Sequence, residues 1–303
     1  MIIRHLKDTQ IDRQRWDDTV FEAQNSLPYA FSWFLDAVSE RWEALVSADY
    51  QYVMPLPVKK RCGIKYLIQP YFCQQLGIFS KNIITEDIVN EFIKKIPYNF
   101  FALQLNYKNP CKGEKLPNLT LSLLDSYEKI KQSFSENTAR NIRKASNFEL
   151  RVKMLNSADF LSFWKSENFA KYQQLFPTLE KIAGLKNDVV KLYSVVNQED
   201  TVIATDLVLE TEKRIINLVP CSNQEGKAKS AMFFLLNYLL KNNAEKEAIF
   251  DFEGSQIENV ARFYRGFGAK NEPYFFIQKN RPELLIKLFH KFSIFFSIFA
   301  KET

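Results

Sequence analysis

The sequence predicts a mixed fold of the α+β class, built from two similar units in tandem. The chain has 303 residues, more than the roughly 100–200 residues of a typical domain. Hydrophobic residues make up 46% and charged residues 25% of it, a globular composition that excludes general disorder. Strand-like and helix-like segments occur in both halves, so each half should hold a mixed sheet flanked by helices.

The first predicted unit spans residues 1–125. Helical spacing of aromatic residues predicts a helix over 28–47. Gly63 is expected to turn a hairpin, and Thr85 to cap the next helix. The other elements are strands over 51–60, 64–80, 100–107 and 118–124, and a helix over 85–96.

The second predicted unit spans residues 126–281 and carries more helix than the first. A long basic helix or a helix pair opens it, and Ser157 is expected to cap a later helix. The strands predicted here are 150–155, the end of 179–197, two within 201–220, 248–255 and 273–279. The helices are 126–147, 158–173, the start of 179–197, 226–244 and 259–269.

A third segment, residues 282–303, contains an amphipathic pattern over 284–300. Leucine and phenylalanine recur at helical spacing, while Lys287, His290 and Lys291 cluster on the other side. Such a helix can lie in a membrane interface, or pack on its own domain or another subunit. Its charges and length argue against a membrane span. The N-terminus lacks the apolar region of a signal peptide, so we expect a cytoplasmic protein, with peripheral contact to the inner membrane face left open.

The net charge and the numbers of cysteine and histidine restrict the kinds of ligand and catalytic site that we expect. Lys and Arg number 41 against 35 Asp and Glu, a net charge of +6. This excess fits an anionic small molecule, a nucleotide or an acidic membrane, but alone does not indicate nucleic acid. Four scattered cysteines suggest free thiols in a reducing compartment. Only two histidines occur, near opposite ends, so no metal site and no Ser/His/Asp triad is expected.

The most informative motif is the loop CSNQEGKAKS at residues 221–230. Gly226 and Ala228 lead into the long helix that follows, and Lys227 and Lys229 add positive charge. A glycine-containing loop at a helix N-terminus offers backbone N–H groups and the positive end of the helix dipole to a pyrophosphate. An ordinary turn between strand and helix, with surface lysines, is the alternative.

Two segments resemble the GCN5-related N-acetyltransferase (GNAT) superfamily. NQEGKA resembles its acyl-CoA pyrophosphate loop, and NVARFYRGFGA its later segment, through Asn259, Tyr264, Phe267 and Gly268. The resemblance implies an acyl-CoA donor and a tyrosine, Tyr264, that protonates the departing thiolate. The residues that it implies for donor binding are Asn223, Gly226, Lys227, Ala228, Lys229 and Ser230.

A closer resemblance is to the FemAB-like branch, which has two such folds in tandem. It is carried by SENTARNIRKA at 135–145, FDFEGS at 250–255 and FYRGFG at 263–268. Tyr264 stands where FemAB enzymes carry a lysine, which favours acyl-CoA over aminoacyl-tRNA as the donor. The resemblance also implies an anionic, nucleotide-linked or cell-envelope acceptor, held by the helix that carries Arg140 and Arg143.

The chemistry of acyl transfer suggests further residues. The attacking amine must lose a proton, and the carboxylates of Glu253 and Asp206 are candidate bases. Glu253 could instead cap the turn at Gly254, and Tyr264 could be a core aromatic. Asp206 lies in a strand that is expected to be buried, where a lone charge needs a partner.

Acceptor residues are expected in both units. Arg140, Arg143 and Lys144 share one helix face, which suits phosphate binding unless that face is simply solvated. The polar residues Tyr71, Gln74 and Gln75 are expected to line a cleft between the halves.

The sequence therefore predicts an N-acyltransferase that moves an acyl or aminoacyl group to an amine. A non-catalytic tandem module that binds an anionic ligand or a membrane surface is the alternative, because Asn223 stands where the GNAT loop has Gln or Arg. Transfer from aminoacyl-tRNA is a third possibility.

Overall fold

The structure, a computed structural model, describes residues 1–61, 63–254 and 258–280. The predicted amphipathic helix at 284–300 and the whole segment 282–303 lie outside the described residues. The chain divides into two compact units, and each has its own sheet. Within the described ranges, no helix is long and apolar enough to cross a membrane.

The first unit comprises Met1–Pro117 and the described residues from Pro273 onward. Its strands are β1 (Ile3–Leu6), β2 (Trp42–Ser47), β3 (Val53–Arg61), β4 (Ile64–Ile68), β5 (Phe101–Leu105) and β6 (Glu114–Leu116). Its α-helices are α1 (Arg13–Glu22), α2 (Ser32–Val38) and α3 (Glu86–Lys95). The described strands follow the order β1-β2-β3-β4-β5, then the last strand of the chain, then β6.

The second unit is Asn118–Glu272 within the described residues. Its strands are β7 (Leu119–Ser122), β8 (Arg151–Met154), β9 (Val190–Val196), β10 (Val202–Glu210), β11 (Arg214–Asn217), β12 (Cys221–Ser222), β13 (Ile249–Asp251) and β14 (Lys270–Asn271). Its α-helices are α4 (Tyr127–Gln132), α5 (Glu136–Ser146), α6 (Ser157–Tyr172), α7 (Phe176–Ala183), α8 (Gln224–Ala228), α9 (Ala231–Asn243) and α10 (Glu258–Arg265).

The second sheet runs β14-β7-β13-β11-β10-β9-β8, with β12 paired to β10. Strands β11 and β13 are parallel, while β10 pairs antiparallel with β9, β11 and β12. A hydrophobic core that includes Leu235, Phe250, Phe252 and Phe267 packs α9 and α10 against the sheet. This packing brings the start of α9 and one face of α10 together.

The strand Tyr274–Lys279 (β15) pairs antiparallel with β5 and β6 in the first sheet. The sequence placed this strand in the second unit, and it placed 118–124 in the first. In the structure β7 pairs with β13 and β14 in the second sheet. The division thus differs from the predicted one at both positions, because strands choose their partners by pairing and not by chain order.

Several local predictions are corrected. The helix predicted over 28–47 ends at Val38, and Trp42–Ser47 is a strand instead. All six residues of that strand are buried, so the alternation that marks a half-buried strand is missing. The strand predicted over 64–80 ends at Ile68. Helix α6 is capped by Asn156, whose side chain accepts from the Asp159 amide, and not by Ser157.

Candidate functional site

A cavity of about 1120 Å³ lies in the second unit. Its walls come from α5, from the segment between β12 and α9, and from α10. The tight approach of α10 to α5 depends on small residues, because a Cβ on Gly266 would lie 2.5 Å from the Thr138 hydroxyl oxygen. The cavity is therefore formed by elements that the packing fixes in place.

The charge on the cavity wall is positive. Its five cationic residues are Arg140, Lys144, Lys227, Arg262 and Arg265. Among the described residues that line it, none is an aspartate or a glutamate. Arg265 also pairs with Glu258, a described residue that does not line the cavity, at 2.8 Å. The excess of guanidinium and ammonium groups on the wall favours a phosphate-bearing or otherwise polyanionic ligand.

Helix α9 begins at the cavity. Ser230 takes a left-handed conformation (φ 58°) that separates α8 from α9, so the single helix predicted over 226–244 is two helices. The first-turn amides, of Ala231 to Phe233, have no carbonyl partner within their own helix. Ser230, Met232 and Phe233 line the cavity, so the positive end of the α9 dipole contributes to its potential.

The backbone amides of the predicted donor loop do not have the role expected from the sequence, which was to bind a pyrophosphate. The Gly226 amide donates to Asn223 Oδ1 at 2.8 Å, and the Lys227 amide donates to the Asn223 carbonyl. These N–H groups cap α8 and do not point to a ligand. A Cβ on Gly226 would lie 2.2 Å from the Ile203 carbonyl oxygen. Packing against β10 therefore explains this glycine.

Of the six predicted donor residues, four line the cavity: Gly226, Lys227, Ala228 and Ser230. Asn223 and Lys229 are not among the lining residues. Lys229 pairs with Glu225 at 2.8 Å, one helical turn earlier. The cation of the loop that faces the cavity is thus Lys227.

Tyr264 lies on the cavity wall and is almost completely buried. Asn217 Nδ2 donates to its phenol oxygen at 3.1 Å. Burial raises the pKa of Tyr264, and the negative fields of Asp206 and Glu253 raise it further. The phenol therefore keeps its proton at neutral pH. Because its oxygen accepts from Asn217, this proton is available for a ligand.

Glu253 and Asp206, the two predicted bases, are buried and do not line the cavity. Glu253 adopts a left-handed conformation (φ 55°), and its amide donates to Asp251 Oδ1 at 2.9 Å. Asp251 is held in turn by Arg214 Nε at 2.7 Å. Glu253 thus sits in a braced turn close enough to Tyr264 to affect its pKa.

Asp206 is fully buried in the middle of β10. Among the described residues, no side chain pairs with its carboxylate oxygens, and the hydrogen bond that they receive comes from the Val219 backbone. Burial raises the pKa of Asp206 well above its usual value, and the backbone of Val219 offsets only part of this.

The residues predicted to bind the acceptor do not all lie at the cavity. Arg140 lines the cavity, whereas Arg143 is exposed and is not among the lining residues. Tyr71, Gln74 and Gln75 belong to the first unit. Gln75 Nε2 donates to Gln74 Oε1 at 2.9 Å, and Gln75 Oε1 accepts from the Tyr107 amide. These two buried glutamines support a loop without regular structure, whose backbone groups need partners.

Asn217, Arg262 and Arg265 were not predicted as site residues. The two arginines are three positions apart on α10, a spacing that places them on one helix face. Lys144 follows Arg140 by one turn and was recognised only as part of a basic face. Asn217 interrupts the apolar run RIINLV, and a polar residue in a buried strand is a signal that could have found it.

Comparisons with solved structures show the fold. The structure of FemX superposes with a TM-score of 0.65 and 11% identity, covering 95% of this chain and 99% of FemX. The C-terminal domain of a putative lysylphosphatidylglycerol synthetase from Agrobacterium fabrum gives a TM-score of 0.56 and 12% identity, covering 92% and 95%. L-PGS from Bacillus licheniformis gives 0.51 and 11%, covering 84% and 89%.

No protein-family model matches this sequence, and a search of curated proteins finds no match. The two sheets and their similarity to these structures confirm a FemAB-like fold, that is, two GNAT-like units in tandem. The similarity to FemX in particular extends over nearly the whole of both chains.

Proposed function

We propose that this chain is an N-acyltransferase that moves an acyl or aminoacyl group from a polyanionic donor to an amine. The observation that carries the proposal is the cationic cavity at the start of α9, with the protonated phenol of Tyr264 on its wall. The fold is consistent with it, since FemX and lysylphosphatidylglycerol synthetase domains have similar architecture. A lysylphosphatidylglycerol synthetase is named for an aminoacylated lipid.

The donor is held by its phosphates. The α9 amides and Lys227 contact one phosphate group, and Arg262 and Arg265 on α10 neutralise others. Coenzyme A and the acceptor end of a tRNA both present several phosphates. The phenol at position 264 favours acyl-CoA, because a thiolate leaving group needs a proton donor that stays protonated until the bond breaks.

In the transfer step the amine nitrogen attacks the donor carbonyl carbon and forms a tetrahedral oxyanion. Collapse of this intermediate breaks the bond from carbon to sulfur, and the departing thiolate takes the proton of Tyr264. The proton lost by the amine passes through water to Glu253 or Asp206, because neither carboxyl lines the cavity. The acceptor is an amine on a nucleotide-linked or cell-envelope precursor, with Arg140 beside it, and the protein acts at the cytoplasmic side.

Donor binding is tested by thermal stability in the presence of acetyl-CoA, other acyl-CoAs and aminoacyl-tRNA. A ligand at 100 times its Kd should stabilise the protein by about 2.7 kcal/mol. Steep weakening with salt would mark the tRNA as the donor. If none of these molecules changes the melting temperature, the proposal fails.

Two matched pairs of variants locate the donor. Arg140→Ala and Lys227→Ala each remove a cation from the cavity wall, and should weaken donor binding by about tenfold. Arg143→Ala and Lys229→Ala remove cations nearby on the same segments that do not line the cavity. Equal effects within each pair would place the donor elsewhere.

Catalysis is tested by Tyr264→Phe. We expect the transfer rate to fall by about 100-fold, the size typical of losing a general acid, with donor affinity nearly unchanged. If Tyr264→Phe binds the donor as tightly as the wild type does, and if the wild type itself forms no acyl product, the non-catalytic module is favoured.

A further inference from the structure

A buried amide contacts the phenol of Tyr264 from the side of the sheet. Asn217 is the last residue of β11, and it is 2% exposed. Ile215 lies on the same face of this strand, because side chains two residues apart point to the same side. Ile215 belongs to the hydrophobic core that also contains Tyr264. The strand therefore directs Asn217 to the face of the sheet on which α10 packs.

The hydrogen bond between the two side chains has a defined direction. Asn217 Nδ2 donates to the Tyr264 hydroxyl oxygen at 3.1 Å, and Asn217 Oδ1 has no hydrogen-bond partner among the described residues. Within the described ranges, this is the one hydrogen bond that the phenol oxygen makes. The phenol proton therefore has no acceptor among those residues. Since Tyr264 lines the cavity, the proton stays free for a bound molecule.

The phenol oxygen becomes negative when Tyr264 gives up this proton, and most of its surroundings oppose that charge. Burial raises the pKa of Tyr264, and the fields of Asp206 and Glu253 raise it further. The hydrogen bond from Asn217 acts in the opposite direction. The ring of Phe252, 5.0 Å from the tyrosine ring between centroids, carries no hydrogen-bond donor. In the described part of the chain, Asn217 is thus the group that favours the phenolate.

We propose that Asn217 is a positioning residue that enables Tyr264 to act as the general acid of the transfer step. Its Nδ2 group holds the phenol oxygen, leaves the proton directed away from β11, and then stabilises the phenolate. A hydrogen bond to a charged oxygen is roughly twice as strong as one between neutral groups, so the contact stabilises the transition state more than the ground state. This inference rests on the proposed function, because it assigns Asn217 a role in that same step.

The proton transfer that Asn217 assists is balanced as follows. The O–H bond of Tyr264 breaks, and an S–H bond forms on the departing thiolate. The electron pair of the broken bond stays on the phenol oxygen, to which the Nδ2 group of Asn217 donates. The proton that the amine gave up reaches the phenolate through water before the next turnover, so both side chains end in their starting state.

The first test is Asn217→Leu, which removes the donor and nearly keeps the size of the side chain. We expect kcat with an acyl-CoA donor to fall about 10- to 100-fold, the effect of one hydrogen bond to a charged group, while the Kd of the donor stays within about twofold. Asn217→Ser, whose side chain is too short to reach the phenol, should give the same result and replaces the leucine variant if that does not fold. An unchanged kcat would overturn the proposal. A higher kcat would overturn it as well, because the amide oxygen would then hold the phenol proton in the wild type.

A double variant separates a role through Tyr264 from a general structural role. Tyr264→Phe lacks the proton that Asn217 serves, so adding Asn217→Leu to it should lower kcat by less than about twofold. An equal loss from Asn217→Leu in both backgrounds would contradict the proposal.

Asn243→Leu is the matched control for this comparison. Asn243 is a buried amide of the same unit, and its Nδ2 donates to the Leu239 carbonyl at the opposite end of α9 from the cavity. Asn243→Leu should leave kcat unchanged even if it lowers the melting temperature. A loss of kcat equal to that of Asn217→Leu would mean that any amide removed from this core slows transfer, and the proposal would fail.

A measurement without turnover distinguishes this inference from the proposed function. The protein is labelled isotopically at the ζ carbon of tyrosine, and Tyr264→Phe identifies the NMR resonance of Tyr264. We expect this resonance to shift in Asn217→Leu and to stay in place in Asn243→Leu. A resonance that does not move in Asn217→Leu overturns the positioning role even if transfer is observed. If the wild type forms no acyl product, the proposed function fails and the role in transfer fails with it, whereas the resonance still decides whether Asn217 holds the phenol.

Discussion

Each unit contains a completely buried carboxylate, and the two have opposite surroundings. Glu43 on β2 is 0% exposed, as is Asp206 on β10. Glu43 Oε2 lies 2.6 Å from His5 Nε2, 3.1 Å from Lys7 Nζ and 2.6 Å from the Tyr98 hydroxyl. Asp206 has no such partner among the described residues.

The pKa of each carboxyl follows its surroundings. Burial alone would raise the pKa of Glu43, but the hydrogen bonds from Tyr98, Lys7 and His5 outweigh it and lower the pKa. Burial raises the pKa of Asp206 without comparable opposition. The opposite results have two causes: Glu43 lies among donors that are themselves partly exposed to solvent, whereas Asp206 is deeply buried and has no charged partner among the described residues. The charged form of Glu43 therefore contributes to folding, whereas the charged form of Asp206 opposes it and protonation relieves that cost.

The largest expected effect is the loss of the Glu43 charge. Glu43→Gln removes the anion on which three donors converge, and should lower the free energy of unfolding by about 3 kcal/mol. Urea denaturation followed by tryptophan fluorescence measures it, since Trp16 and Trp42 are buried in this unit. A loss below about 0.5 kcal/mol would mean that the cluster is no stronger than a surface ion pair.

The same chemical change at Asp206 should have the opposite sign. Asp206→Asn replaces an unpaired buried charge by a neutral group of the same shape, and should raise the stability of the ligand-free protein by about 1–2 kcal/mol at pH 8. Thermal and urea unfolding of the second unit measure it. A destabilised variant would show that Asp206 has a partner in the folded protein, and the contrast with Glu43 would disappear.

The pH dependence sharpens the comparison. Glu43 has a folded pKa below its usual value of 4.5, so its stabilisation is present above that pH and is lost as the pH falls through the folded pKa. Asp206 has a folded pKa above its usual value of 3.8, so the folded state loses stability as the pH rises from about 4 to the raised pKa. Unfolding curves of the wild type and both amide variants from pH 3 to pH 8 should diverge in these opposite directions.

The smallest expected effect is that of one donor to Glu43. Tyr98→Phe removes a single hydrogen bond and leaves Lys7 and His5 in place, so we expect a loss of about 1 kcal/mol. Tyr52→Phe in the same unit serves as the control, because among the described residues its hydroxyl makes a single long, exposed contact, of 3.4 Å to the Ile83 carbonyl. A loss as large as that of Glu43→Gln would mean that Tyr98 alone holds the carboxylate.

The sequence predicted the fold well where the pattern was local. The helix Glu86–Lys95 with its Thr85 cap was confirmed, as were the two strands joined at Glu210–Lys213. It failed at Trp42–Ser47, since a strand buried on both faces has no alternation to read. It also could not show that β15 pairs with β5, because strand partners more than 150 residues apart leave no mark in a single sequence.

Residue chemistry identified part of the candidate site. Tyr264, Lys227 and Arg140 were selected and line the cavity. The reason for Gly226 was misread, because the close approach to the Ile203 carbonyl is a property of tertiary packing. Asp206 was selected as a lone charge in a buried strand, and its complete burial is confirmed, but its distance from the cavity wall could not be predicted because it is a property of tertiary packing.

The position of β15 has a consequence for biosynthesis. β15 lies between β5 and β6, and among the described strands β6 pairs only with β15. On the ribosome, the sheet begun by the first 117 residues must therefore remain incomplete until residue 279 has emerged, after the other unit has been synthesised. Until then β5 presents an open edge to the crowded cell, and we expect nascent chains released before that point to aggregate or to recruit chaperones.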